Sequence, residues 1–297
     1  MIVRRTRRGF VLLMVLVVLA LAGSLLGVCA RRTSDRALAA GLSARHLQRR
    51  WGVRSLQAAC LGRAEEILSA PAADGRPAPP APAAPAAVRR SITLGDAAFD
   101  LVIADEQAKA NVNRIASLRD AGGLRSSLSA LSAGRWVLQV LLRPVEQKTG
   151  EIRSPPLQYA SLEQVFAAAS PADLLGVPPD QEGPAARVTC WGNGKVHFRR
   201  AETAVLREML ADVLSEYQIH RLSVLRDEMP EAGLSEILGR LELDATRLAA
   251  VQERVTESSS CHSLWIVARG RTRDWYRLCV AQAGDAGNDV GFWTLAW

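Results

Sequence analysis

At 297 residues, 48 % of them hydrophobic, the chain has enough apolar mass for a membrane segment plus one or two folded domains. Its net charge of +7 is no nucleic-acid signal, because four of those charges are Arg4, Arg5, Arg7 and Arg8 at the extreme N-terminus, and what remains is a solvated surface. Five cysteines without a CxxC spacing and four scattered histidines lack the ligand pattern of a zinc site.

The basic leader ends at Gly9-Phe10, and uncharged residues run from Phe10 to Ala30, about 31 Å as helix against a hydrocarbon core of about 30 Å. Arginines so close to its start predict a cytoplasmic N-terminus and an exported remainder, weakly opposed by Arg31, Arg32 and Arg36. An ordinary secretory signal places small residues after its apolar run, whereas the cut-like Gly9-Phe10 lies before it. Trimming there would leave the anchor attached. An ordinary signal anchor is the alternative, and a lipoprotein reading of Leu26-Gly27-Val28-Cys29 is disfavoured by the bulk of Val28.

Leu38, Leu42, Leu47, Trp51, Leu56 and Leu61 recur at loosely helical spacing without a proline before Pro71. The spacing predicts one helix from Phe10 to about Leu68, a rod of roughly 90 Å with soft points at Gly23, Gly41 and Gly52; a separate juxtamembrane helix is the alternative. Pro71 to Pro85 is a proline and alanine tether that cannot pack a core. Ser91 to Leu94 and Phe99 to Ala104 read as strands around Gly95-Asp96. A polar cluster, Asp105 to Asn113, follows directly and leads into a helix from about Arg114 to Ala121.

Trp136 to Leu142 reads as a buried strand or helix. Ser161 and Ser170 are predicted caps of two small helices, the second ending at Gly176. Arg187 to Trp191 and Lys195 to Arg199 read as a hairpin around Gly192-Asn193-Gly194. Helices are predicted over Glu202 to about Arg226 and Leu234 to about Thr256, then strands over Ser263 to Ala268, Trp275 to Gln282 and Val290 to Trp297. The fold class is α+β. Its divisions are a leader (1–9), a transmembrane segment (10–30), a continuing helix (31–70), a linker (71–90), first strands (91–113), an inserted helical domain (114–260) with a hairpin at 187–199, and C-terminal strands (261–297).

Catalysis has little to draw on. Cys190 has His197 across the glycine turn and Cys261 abuts His262, but strand neighbours point to opposite faces, and no enzyme is expected. Cys261 and Cys279 are a possible disulfide across a hairpin, or two unpaired thiols. Asp105, Glu106, Asn111 and Asn113 are interface candidates, with helix capping and turn bonding as the alternative.

Four places carry a resemblance. The arginine leader with Gly9-Phe10 resembles the class III leader of type IV pilins and type II secretion pseudopilins, in which a prepilin peptidase cuts after the glycine and methylates the new N-terminal residue. Asp105-Glu106-Gln107-Ala108-Lys109-Ala110-Asn111-Val112-Asn113 resembles the DEQGKxNxN segment of the K-type minor pseudopilins (general secretion pathway protein K). Tyr159 to Val165 resembles their S-x-E-L element, and Val188-Thr189 to Val205-Leu206 their strand, glycine turn, strand and helix.

The resemblance implies a pilin-like antiparallel sheet head with an inserted helix-hairpin-helix or SAM-like domain. It also implies a single-pass inner-membrane anchor and a periplasmic head. Its expected partners are the major and other minor pseudopilins, the prepilin peptidase and the inner-membrane assembly platform. Met14 stands where most pilin-like proteins carry a glutamate that pairs with a neighbour's N-terminal amine, and its lack of charge makes it a further interface candidate and suits the end of a fibre. Calcium goes with acidic elements of the family that this chain lacks between Arg114 and Tyr159, so no cofactor is expected. His197 and Arg199 replace the asparagines of the family's second polar element. A type IV pilus minor pilin and a single-pass envelope receptor remain the alternatives.

Overall fold

The computed structural model describes residues 6–70, 85–132, 159–166, 169–176, 182–270, 273–283 and 290–296. Trp136 to Leu142 and nearly all of the proline-rich tether lie outside the described residues. The chain forms two compact units, 1–52 and 53–297.

Helix α1 (Thr6–Leu61) carries the apolar run and the arginine-rich stretch after it without a break, about 84 Å at 1.5 Å per residue. It is long and apolar enough to cross a membrane. The predicted continuation to Leu68 is divided. Arg63 N donates to Cys60 O at 3.2 Å, tightening the last turn, and Arg63 O starts a second helix by accepting from Ile67 N at 3.0 Å. That helix is α2 (Ala64–Ser69).

Strands β1 (Ala87–Leu94) and β2 (Ala97–Asp105) form the predicted antiparallel hairpin, with Gly95 at φ +59° supplying the turn. The strand begins inside the stretch assigned to the linker. Next come β3 (Ala110–Asn111), α3 (Val112–Leu118), α4 (Ala121–Leu131) and α5 (Pro171–Leu175). The single helix expected over Arg114 to Ala121 is replaced by two, because Asp120 accepts from Gly123 N at 2.8 Å and caps a new start. Ser170 caps α5 in a reciprocal box with Asp173, as its sequence predicts. The element before it is only a 3-10 turn, Leu162–Gln164, and the Ser161 side chain makes no cap bond.

The hairpin expected at 187–199 does not form. Its arms become β4 (Val188–Thr189), which pairs in parallel with β3, and β5 (Val196–His197), which pairs in parallel with a strand near residue 255. Gly192 and Gly194 do adopt φ of +92° and +79°. Yet Asn193 Oδ1 accepts from Gln107 Nε2 at 2.8 Å, a bond 86 residues away, so a distant partner holds the loop open.

Both long C-terminal helices are also divided by caps. Ser215, boxed with Gln218, separates α6 (Thr203–Leu210) from α7 (Glu216–Glu228), and Asp244 starts α9 (Ala245–Arg254) after α8 (Leu234–Gly239). Strand β6 (Val255–Thr256) is the parallel partner of β5. The chain closes with β7 (Cys261–Ala268), β8 (Trp275–Ala283) and β9 (Val290–Ala296).

The main sheet has the order β1-β2-β7-β8-β9 and is antiparallel throughout, a meander opened once between β2 and β7 to admit everything from 106 to 260. On one face Phe99, Leu101, Ile103, Leu264 and Ile266 bury Leu56, Leu61, Ala64 and Leu68 from the end of α1 and from α2. On the other, Trp265, Val267, Leu278 and Val280 share a core with the helical domain. From Leu264 to Ala268 strand β7 is therefore apolar on both sides, which explains the unbroken run of hydrophobic residues there. The molecule is mixed helix and antiparallel sheet behind a long apolar N-terminal helix, in agreement with the α+β expectation.

The suggested Cys261–Cys279 bridge is absent. Register pairs Cys279 with Leu264 and Cys261 with Gln282, and the two thiols lie in the cores on opposite faces of the sheet.

Candidate functional site

Where β2 ends and β7 begins, the sequence places ionisable side chains in a buried junction. Register brings Asp105 beside His262, and α2 lies over that end of the sheet. Asp105 is fully buried and all of its oxygens are used. Oδ1 accepts from Gln107 N at 2.9 Å and Ser259 Oγ at 2.6 Å, and Oδ2 accepts from Arg200 Nη1 at 3.2 Å. Arg200 enters from the turn after β5. Its guanidinium forks onto Glu65 of α2 at 2.8 and 2.6 Å and donates to Ser69 Oγ at 3.2 Å. His262 Nε2 lies 3.1 Å from Glu65 Oε2.

One cation thus ties helix α2, the sheet and the helical domain together. The Arg200 hydrogen bonds hold the Glu65 carboxyl well down, at about 2. Burial is the largest influence on Arg200 itself and would lower it, but the bonds and charges of Glu65 and Asp105 outweigh that and raise it.

Beneath lies a second charge pair. Lys109 Nζ and Ser263 Oγ both donate to Glu106 Oε1, with Lys109 and Glu106 buried together. Glu106 Oε2 is buried without a partner among the described residues. Gln107 extends the network, its Oε1 accepting from Ser260 N at 2.5 Å and its Nε2 donating to Asn193. Burial, followed by the charge of Glu106, pushes the thiols of Cys190 and Cys261 far up. Neither is a thiolate at neutral pH. His197, desolvated, sits below its ordinary value and is neutral.

The predicted interface residues therefore divide. Asp105, Glu106 and Asn111 are buried, with their bonds turned inward. Asn111 caps α3 by accepting from Arg114 N at 3.0 Å and donates to Trp191 O at 2.8 Å. Asn113 is half-buried and clamps two loops: Nδ2 donates to Cys190 O at 2.9 Å and Tyr159 O at 3.1 Å, and Oδ1 accepts from Tyr159 N at 2.6 Å. Gly9 and Phe10 lie inside α1, and Phe10 and Met14 present exposed side chains there.

Sequence reasoning missed Glu65, Arg200 and Ser259, and singled out Arg199 only as the replacement of an asparagine. Arg199 bridges backbone as an asparagine would, donating to Arg226 O at 3.1 Å, Met229 O at 3.2 Å and Ala232 O. The partner of Arg200 lies 135 residues away, so no local spacing signals the pair. Among the described residues no cluster of three or more His, Cys, Asp or Glu side chains is placed to hold a metal. Chemically the junction fastens; it presents neither an activated nucleophile nor an open charged cleft.

No protein-family model matches this chain. No curated protein matches it. A solved chain in the crystal structure of the GspK-GspI-GspJ complex from the type 2 secretion system of enterotoxigenic Escherichia coli is similar, at 11 % identity and a TM-score of 0.47, over 86 % of this chain and 98 % of that chain.

Proposed function

We propose that the chain is a membrane-anchored minor pseudopilin of a type II, or general, secretion system, of the K type. It ends the pseudopilus and helps initiate its assembly for export of folded proteins. The observation that carries this reading is α1: an apolar segment without an acid, continuous with an arginine-bearing rod. An ionisable group in lipid is retained where it has a partner, and a pilin-like subunit without one lacks the carboxylate that receives a neighbour's N-terminal amine. Such a chain finishes a stack of helices more readily than it repeats within one. The helical domain between β2 and β7 adds bulk to the head, which suits an end position.

On this reading a prepilin peptidase trims after Gly9 and methylates Phe10. The head faces the periplasm, and sibling pseudopilins and the inner-membrane assembly platform are the partners. The deciding measurement is mass spectrometry of the mature N-terminus in the native envelope. A methylated Phe10 is expected. An intact Met1 would sink the proposal in favour of a single-pass receptor.

A further inference from the structure

Past its apolar run α1 stays exposed and becomes strongly basic. Between Arg31 and Gly52 it carries six arginines against one acid, Asp35. Arg31, Arg32, Arg36, Arg45 and Arg50 are exposed and form no ion pair among the described residues. These cations are not scattered. At 3.6 residues per turn Arg31, Leu38, Leu42 and Arg45, spaced by seven, four and three residues, fall on one line along the helix. Leu38 and Leu42 are 68 % and 66 % exposed there. With Ala30 at the hydrocarbon edge, Leu38 stands about 12 Å and Arg45 about 22 Å beyond it, past a headgroup layer of about 5 to 7 Å. Two leucines a turn apart, bracketed by cations, thus lie in water with nothing over them among the described residues.

We propose that this face docks a parallel helix of an unlike protein, one that presents two apolar residues a turn apart with carboxylates at the heights of Arg31 and Arg45, about 21 Å apart along the axis. The docking rests on α1 being the membrane anchor proposed above, which fixes both helices in direction and height. Charge selects the occupant. A second copy of this chain would bring the same arginines to the same heights and be repelled. Lipid phosphates reach Arg31 but not Arg45, and they leave Leu38 and Leu42 in water. A helix with acids at both levels satisfies all four side chains. The face therefore accepts an unlike subunit and rejects a like one.

The test uses the full chain in phosphatidylcholine vesicles, with donor and acceptor fluorophores on the C-termini of separate preparations. The acidic probe is the chain itself carrying Arg31→Glu and Arg45→Glu, which keeps the leucines at their heights and reverses the charge around them. Energy transfer should show wild type associating with this probe at least about fivefold more tightly than with itself. Leu38→Gln with Leu42→Gln in the wild-type partner should abolish the gain. A probe reversed on another side of the helix, Arg32→Glu with Arg50→Glu, should give a smaller one. Circular dichroism checks that each variant keeps its helix, and flotation separates the failures. A chain that does not float with the vesicles would overturn anchor and docking together. A floating chain that pairs equally with itself and with the probe, ignores the leucine changes, or responds alike to both reversed probes overturns the docking alone. Loss of pairing on adding phosphatidylglycerol would assign the arginines to lipid phosphate and likewise overturn it.

Discussion

Arg200 is the residue on which three parts of the head converge, through Glu65 and Ser69 of α2 and Asp105 of β2. Burying a guanidinium is costly, and it is tolerated here because two carboxylates and a hydroxyl accept from it. Arg200→Met leaves the fully buried Asp105 without its cation, so a loss of about 3 to 5 kcal/mol is expected, read by urea denaturation of the full chain in micelles. Pairing that change with Asp105→Leu should recover much of the loss, because two apolar groups leave no orphaned charge.

Acid should weaken the same junction in two stages. His197 has its pKa depressed by burial, so its contribution is complete above its unfolded value near 6.5 and drains away as pH falls below that. Glu65, held at about 2 against an ordinary 4.5, contributes fully above 4.5 and loses its share between there and about 2. Because Glu65 is half-exposed, solvent screening limits that second stage to about 1 kcal/mol. Calorimetric melting from pH 8 to pH 3 should show His197→Gln flattening the first stage and Glu65→Gln the second.

At the scale of elements, two arginines staple the helical domain reciprocally. Arg199, after β5, donates to carbonyls at and beyond the end of α7, while Arg226 in the last turn of α7 returns a bond of 2.7 Å to Ala201 O. A lysine ammonium is a point charge without the planar fork, so Arg199→Lys should cost about 1 to 2 kcal/mol. Hydrogen exchange should report it locally, as faster exchange over residues 229–237 and unchanged exchange in β7.

Legibility followed the range of the deciding interaction. The Ser170 box, the Gly95 turn and the apolar C-terminal strands were readable because each is settled within a few residues. Ser215 and Asp244 carried equally local cap signals, but the apolar periodicity running across them masked the breaks. The loop at Gly192 to Gly194 reads as a hairpin by its own chemistry, and distant partners decide otherwise: Gln107 and Gln282 bond the loop, the latter at Gly192 N at 3.1 Å, and the arms pair with β3 and β6. Of the junction, Asp105 and its neighbours stood out as a polar run. Glu65 and Arg200 did not, since each looks like an ordinary solvated charge until the fold brings them together.

For the molecule as a whole, the acid-free segment of α1 sets the sharpest expectation. Placing a carboxylate there with Met14→Glu should let a proposed terminal subunit accept a neighbour's amine. Copies per fibre, counted by immunogold labelling, are expected to rise from one end to positions along the length. Labelling that stays at one end would show that something other than this charge limits the chain.

The opening of the meander between β2 and β7 has one more effect. Asp105 and His262 are cross-strand neighbours, so the 155 residues from 106 to 260 leave and rejoin the sheet about one strand spacing apart, roughly 5 Å. Geometrically a tight turn could replace them. Chemically it could not, because Trp265, Val267, Leu278 and Val280 would face water once the helices were excised. Sheet and insertion are therefore one hydrophobic unit, and neither keeps its apolar face out of water without the other.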